Sequence, residues 1–163
     1  MEKKIIIING TGGSGKDTFV SLFSKYCRVY NFSSIDKVKE IARLVGWNGG
    51  KTEKDRKFLS DLKKLTTNYN DMAFTDTKVA VEKFLQSKDE VMFIHIREIP
   101  EIKRAVKEFG ALTLLIKRKG YDNITSNESD ANVDNYDYDF IIENDTLEDL
   151  EKRTKSFVNK ILK

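Results

Sequence analysis

The sequence is poor in several things at once. Its 163 residues include one cysteine, one proline, one histidine and one tryptophan. With Cys27 alone, no disulfide can close within the chain, so a reducing compartment, the cytoplasm, is the expectation. The lone histidine, His95, alternates with Ile94 and Ile96, which reads as a hydrogen-bonded core residue and is weak ground for a metal site or a proton shuttle. Long hydrophobic runs are missing too. The four isoleucines Ile5 to Ile8 are too few for a signal segment or a membrane span. Neither charge dominates: Lys plus Arg is 29 and Asp plus Glu is 26, a net charge of +3, so nothing argues for a nucleic-acid or membrane partner. No repeat, low-complexity tract or Pro- or Gly-rich linker divides the chain, and one domain over residues 1–163 is expected.

What is present is an alternation of two kinds of segment. Lys3 to Asn9 is a β-branched apolar run of the sort that forms a strand buried on both faces. Lys16 to Tyr26 carries Phe19, Val20, Leu22 and Phe23 at helical spacing. Arg28 to Phe32 reads as a second strand, followed by a helix from a Ser33-Ser34 cap to about Val45, which Gly46 can end. Thr52 with Asp55 resembles a capping box for a helix through Leu65, and Phe74 to Leu85 reads as another helix. Glu90 to Ile96 is a third strand, with Pro100 in the first turn of the helix after it and Gly110 able to end that helix. Ala111 to Ile116 and Phe140 to Ile142 complete five strands. The closing helix, Thr146 to Leu162, would face Leu147, Leu150, Phe157, Val158 and Ile161 inward. This order predicts an α/β chain, a three-layer α/β/α sandwich around a five-stranded parallel sheet. Right-handed crossovers put the loops after the strands on one edge, where such sheets bind ligands. The candidates are therefore Gly10 to Asp17, Ser33 to Lys39, Arg97-Glu98 and Lys117 to Lys119. The polar stretch 117–138 has no clear period, and its length suits a lid.

The segment Gly10-Thr11-Gly12-Gly13-Ser14-Gly15-Lys16-Asp17 matches the phosphate-binding pattern GxxxxGK between a strand and a helix. Glycines let backbone N–H groups converge on a phosphate, the helix N-terminus adds partial positive charge, and Lys16 can reach the β- and γ-phosphates of ATP. Where a Ser or Thr usually gives its hydroxyl to Mg²⁺, Asp17 stands. A carboxylate beside phosphates is repelled unless a cation sits between, so Asp17 is expected to face Mg²⁺, with Thr18 an alternative hydroxyl one position on. The same glycines also satisfy Gly-x-Gly-x-x-Gly, and Asp36 lies near the distance of a ribose-binding acid, so a dinucleotide site stays open as a weaker reading.

With these residues the chain resembles the P-loop nucleotide-kinase superfamily, most of all its branch of phage-type deoxynucleoside monophosphate kinases and animal-type phosphomevalonate kinases. The branch has a loop ending in Gly-Lys-Asp, as Gly15-Lys16-Asp17 does. Its serine and lysine at the acceptor resemble Ser33 and Lys39 in NFSSIDKVKEIA. Its strand ending in Asp-x-Arg resembles FIHIREIPEI, which makes Arg97 the phosphate-clamping arginine and puts His95 where the branch has aspartate. Asn127-Glu128-Ser129 and YDYDFIIENDTLEDL resemble its lid exit and last strand. The resemblance implies transfer of the γ-phosphoryl of ATP-Mg to a small phosphorylated acceptor, most of all a (deoxy)nucleoside monophosphate, by a monomer or homodimer. Lys16, Arg97 and Arg118 would be catalytic; residues 10–18 would hold the nucleotide; Ser33, Lys39 and Arg97 would hold the acceptor; and Asp17 would hold the metal.

Plainer readings stand beside these. Arg97 could be a surface arginine paired with Glu98 or Glu101, Lys39 a solvated helix lysine, and Arg118 part of a basic surface loop rather than a lid. Cys27 reads as a small buried hydrophobe, and Trp47 and Tyr69 as packing or half-exposed aromatics. The acids Asp130, Asp134, Asp137 and Asp139 read as a solvated face. A nucleotide-binding regulatory module without an acceptor, and an NAD-binding protein, remain as alternative functions.

Overall fold

A computed structural model describes residues 2–120 and 132–163. In chain order the described elements are β1 (Lys4–Asn9), α1 (Lys16–Phe23), β2 (Val29–Ser33), α2 (Asp36–Leu44), α3 (Glu53–Asn70), α4 (Met72–Gln86), β3 (Val91–His95), α5 (Ile99–Phe109), β4 (Leu112–Arg118), β5 (Phe140–Asn144) and α6 (Leu147–Ile161). The five strands form one sheet in the order β2-β3-β1-β4-β5. Every pairing is parallel, with Ile8 opposite His95 on one side of β1 and Leu114 on the other. The order bears on the dinucleotide reading. In the dinucleotide-binding arrangement the second strand lies beside the first, whereas here β3 takes that place and β2 is pushed to the edge.

Burial follows from that order. β1 is the middle strand, so Ile6, Ile7 and Ile8 are fully buried, alternating between the two faces. On one face Ile6 and Ile8 meet α1 and α6 through a knot of rings. Phe93 lies 5.8 Å from Phe19 and 5.0 Å from Phe23, both edge-on, and Phe157 of α6 lies 5.7 Å from Phe19. On the other face Ile7, Met92, Ile94 and Leu115 pack against α4 and α5 through Phe84, Ala80, Ile102 and Ala105. These are the expected three layers. A smaller cluster, Val38, Ala42 and Leu59 with Trp47 packed on it, joins α2 to α3 beyond the sheet edge.

Local chemistry sets most boundaries as expected. Thr52 and Asp55 form a reciprocal capping box, and Gly110 ends α5 in the left-handed region at φ 63°. Four details differ. α3 runs to Asn70, five residues past Leu65, and turns into α4 through Asp71 at φ 55°, an aspartate bonded by Arg104 at 2.7 Å. The serine pair does not cap α2. The helix starts after Ile35 without a side-chain cap, and the backbone N–H of Ser33 instead donates to Asp36 Oδ2 at 3.1 Å. β4 continues through Lys117 and Arg118, because pairing with β5 carries on to Asn144. Leu147, expected inward, is 60% exposed: it opens α6 past the core, where Thr146 caps the helix. Among the described residues, no helix is long and apolar enough to cross a membrane.

Candidate active site

At the carboxyl edge of the sheet the chain passes from β1 into the glycine loop, and two glycines there are needed for geometric reasons. A Cβ at Gly10 would lie 2.5 Å from the Ile116 carbonyl oxygen and 2.6 Å from Ser14 Oγ, so only glycine lets the loop close against β4. Gly15 stands at φ 101° as the residue before α1, and no side chain caps the helix. The first-turn N–H groups of α1 therefore face the loop's interior, the arrangement that binds anions. Ser14 Oγ is buried and has no hydrogen-bond partner. Lys16 Nζ curls over the loop to donate to the carbonyl oxygens of Gly10 and, at 3.4 Å, Thr11. An ammonium over backbone carbonyls, an orphaned hydroxyl and an uncapped helix start together fit a phosphate chain. Asp17, in the first turn of α1, lines the same space and fits a divalent cation bound to that chain.

Asparagines fix the loop to its surroundings. Asn9 Oδ1 accepts from Gly10 N at 2.8 Å, while Asn9 Nδ2 donates to the Arg97 carbonyl at 3.3 Å and to Tyr138 Oη at 2.9 Å. Asn144 Nδ2, at the end of β5, donates to the carbonyls of Ser14 at 3.2 Å and Lys117 at 2.8 Å. Loop, β3, β4 and β5 are thus held in one register around the site.

The loop opens into a cleft of about 710 Å³ between the sheet edge and α2–α3. Thr11 to Thr18 line it, and Ser33 from the end of β2, Lys39 from α2, Arg97 from the turn after β3 and Arg118 from the end of β4 line it with them. Gly10 packs behind this lining, against Ile116 and Ser14. Sequence reading did not single out Arg43, Lys51, Arg56 and Lys63, which α2, α3 and the loop between them bring to the same wall. Arg43 lies over the Trp47 ring at 4.7 Å, so Trp47 carries a cation rather than only packing. A second hollow, about 550 Å³, lies beyond β5 between Lys119, Asn144, Asp145, Thr146 and Arg153. Of the expected lid, residues 121–131 lie outside the described residues, and so do Asn127-Glu128-Ser129 and Asp130. The described ends are joined by Lys117 and Asp134 at 3.5 Å.

Two titrating groups stand out. His95 Nε2 lies 2.8 Å from Asn31 Oδ1, an acceptor that requires the proton on that nitrogen. Burial pushes the imidazole down to about 4, against the attraction of Asp17, so His95 is neutral at physiological pH. The other group is Lys63, buried in the cleft wall. Its ammonium lies 2.7 Å from Glu98 Oε2, 2.7 Å from Glu101 Oε2 and 3.3 Å from Ser34 Oγ. Burial works against the Lys63 charge, but the two carboxylates outweigh it and hold its pKa above the ordinary lysine value. Burial also raises Glu101, more than the nearby ammonium lowers it. The geometry reconciles the two shifts: one ammonium serves two carboxylates, so the lysine keeps its proton and Glu101 is under-compensated. Glu98 and Glu101, considered from sequence as surface partners of Arg97, both meet Lys63. Only a helical-face argument could have found it, since Lys63 follows Leu59 by one turn on the inward side of α3.

No protein-family model matches the chain, and no curated protein does. Solved structures match over nearly all of it. TT1252 from Thermus thermophilus superposes with a TM-score of 0.56 at 20% identity, covering 99% of each chain. A putative kinase from Chloroflexus aurantiacus gives 0.56 at 10% identity over 100% of each. Thymidylate kinase from Ehrlichia chaffeensis gives 0.50 at 9% identity, over 98% of this chain and 99% of that one. At such identities the likeness is one of architecture, and the fold is that of the P-loop kinases.

Proposed function

We propose that this chain is an ATP-dependent small-molecule kinase that transfers the γ-phosphoryl group to a phosphorylated acceptor, most of all a (deoxy)nucleoside monophosphate. The observation that carries the reading is convergence: a phosphate loop with its lysine, and the cations Lys39, Arg97 and Arg118 from three other segments, line one cleft. The loop and Lys16 would bind the triphosphate. The hollow beside Asn144 and Thr146 would take the base. Arg97, with Lys39 and Ser33, would hold the acceptor's own phosphate, and Arg118 would offset charge on the transferring group. Asp17 would hold Mg²⁺, which would supply neutralisation of phosphate charge. No general base is required when the attacking oxygen already belongs to a phosphate, so positioning provides most of the rate. The chain acts as one domain, with a lid over about 117–138, in the cytoplasm, as a monomer or homodimer, without nucleic acid or membrane.

One observation favours a second reading, a nucleotide-binding module without turnover: neutral His95 stands where the resembled branch has an aspartate, so Asp17 is the acid that the phosphate loop itself offers a metal. ATP-to-ADP turnover with Mg²⁺, measured across nucleoside monophosphates, deoxynucleoside monophosphates and phosphomevalonate against a Lys16→Ala blank, decides between the two. Turnover above the blank with one acceptor establishes the kinase. ATP binding with no acceptor-dependent turnover establishes the module.

A further inference from the structure

Cations line both sides of the cleft, and the proposed transfer uses only part of them. Among the described residues eight basic side chains line it and two acidic ones, Asp17 and Glu98. Lys16, Arg97 and Arg118 stand along the sheet edge and serve the transferring and receiving phosphates, with Lys39 beside them. Lys63 is engaged by Glu98 and Glu101. Arg43, Lys51 and Arg56 remain, all from one stretch of the α2–α3 wall, and no step of the transfer calls for them.

Their placement is built. Arg43 follows Lys39 by one turn of α2, and both line the cleft. Like charges at that spacing cost a helix stability, so helix formation does not account for the pair. The Arg43 guanidinium lies over the Trp47 ring at 4.7 Å, and Trp47 is itself fixed by its Nε1, which donates to the Gly50 carbonyl at 3.1 Å. Arg56 Nε donates to the Lys51 carbonyl at 3.2 Å, tying α3 to the loop before it. The Gly50 N–H donates to Asn48 Oδ1 at 3.1 Å, and a Cβ at Gly50 would run into the Asp55 carboxylate, so the loop closes tightly on the start of α3. Acids of the same stretch are turned to local work. Asp36 accepts from the Ser33 N–H and Asp55 from Thr52, and neither lines the cleft.

What the wall presents to the cleft is thus a held group of cations. A cleft lined by one sign of charge concentrates ions of the other, and side chains already held lose less freedom when a ligand arrives. Three cations suit a dianionic phosphate better than a singly charged carboxylate, and an arginine fork can grip two of its oxygens. We propose that the α2–α3 wall is a second phosphate site, formed by Arg43, Lys51 and Arg56, and that the acceptor is a bisphosphate. One phosphate rests on Arg97 and receives the γ-phosphoryl group, while the other, at the far end of the molecule, rests on the wall. An oxygen of the first phosphate bonds to the γ-phosphorus, the bond from that phosphorus to the β-phosphate oxygen breaks, and ADP leaves. The second phosphate is unchanged. This rests on the kinase reading and narrows its phosphorylated acceptor to one that carries a phosphate at each end.

Calorimetric titration of the full chain, without turnover, tests the second site with two matched pairs. One is thymidine monophosphate against thymidine phosphorylated on both sugar hydroxyls. The other is fructose monophosphate against fructose phosphorylated at both ends. In the unmodified protein the doubly phosphorylated member of at least one pair should bind about tenfold tighter or more. Arg43→Gln and Lys51→Gln, singly and together, should bring that ratio close to one. Affinity for the monophosphate and for ATP should stay within about twofold. Both side chains are exposed, so the fold should survive, and an unchanged melting midpoint checks that it does. Equal binding within both pairs, or a preference that survives both substitutions, overturns this inference, and turnover of ATP with a monophosphate would then leave the kinase reading standing. A preference that the substitutions erase, with no transfer from ATP to either bisphosphate, keeps the second phosphate site and overturns the kinase reading instead.

Discussion

Two lysines of the same cleft are held in opposite ways. Lys16 rests on carbonyl oxygens of its own loop, five and six residues back in the chain. Lys63 is held by Ser34, Glu98 and Glu101, brought from two distant stretches and closed around a buried ammonium. Carbonyl contacts of this kind can be exchanged for a phosphate without loss to the fold, since the loop's backbone is set by its glycines and by Asn9 and Asn144. The Lys63 contacts cannot be exchanged in the same way, because the largely buried Glu101 carboxylate would lose the ammonium that it faces. The difference separates a charge kept for a ligand from a charge built into the wall that the ligand meets.

The largest effect should come at the loop. Lys16→Ala should lower phosphoryl transfer by on the order of a thousandfold or more, while the thermal midpoint moves by no more than about 2 °C. Parallel turnover and melting measurements check both halves, and a large drop in the midpoint would make Lys16 structural as well and erase the contrast. Lys63→Met should show the reverse ordering. Removing one member of a buried ionic cluster costs about 3–5 kcal/mol, a fall in midpoint of roughly 10 °C for a chain of this size. Adding Glu98→Gln and Glu101→Gln to Lys63→Met should restore much of that stability. A Lys63→Met protein that melts like the parent would place Lys63 with Lys16, among charges kept for a ligand.

The same contrast explains what the sequence made legible. The glycine loop could be read because its function depends on backbone geometry encoded in consecutive residues, and the strands could be read because Ile5 to Ile8 and VMFIHI are too apolar for anything but a covered sheet. The Thr52–Asp55 box is likewise local. The Lys63 cluster has no local signal: in SDLKKL its lysine is indistinguishable from Lys64, and what sorts them is the phase of a helix whose ends were not known. The serine pair before α2 was misread for a related reason. A cap depends on where the helix starts, and the turn from β2 uses Asp36 to bind Ser33 instead. Leu147 looked inward because its spacing fits the stripe, but the stripe meets the core only from Leu150 onward.

A smaller effect should appear in acid. The His95 pKa is lowered from 6.5 to about 4 by burial, so between these values the unfolded chain binds a proton that the folded one refuses. Stability from this residue is therefore complete above about pH 6.5 and is lost as pH falls toward 4, by about 3 kcal/mol in all. His95→Gln should flatten that part of the pH profile relative to the parent. Urea unfolding at several pH values tests this, with carboxylate titrations cancelling in the difference between the two proteins. Parallel profiles would mean that the cleft end of β3 admits a charged imidazole, and that the wall is less dry than the Lys63 cluster implies.

The smallest effect tests whether the two ends of the cleft are separable. The Arg97 carbonyl is tied to the loop through Asn9, and its side chain lines the cleft just past the end of β3. Arg97→Ala should raise the acceptor KM about tenfold to a hundredfold, the value of one or two charge-assisted hydrogen bonds. The KM for ATP should stay within about twofold. Arg97→Lys should recover only part of the loss, since an ammonium cannot reproduce a two-point grip on a phosphate. Steady-state kinetics with each substrate varied in turn gives the split. If both KM values rose together, Arg97 would act through Asn9 on the loop itself. The donor and acceptor ends would then be one rigid unit.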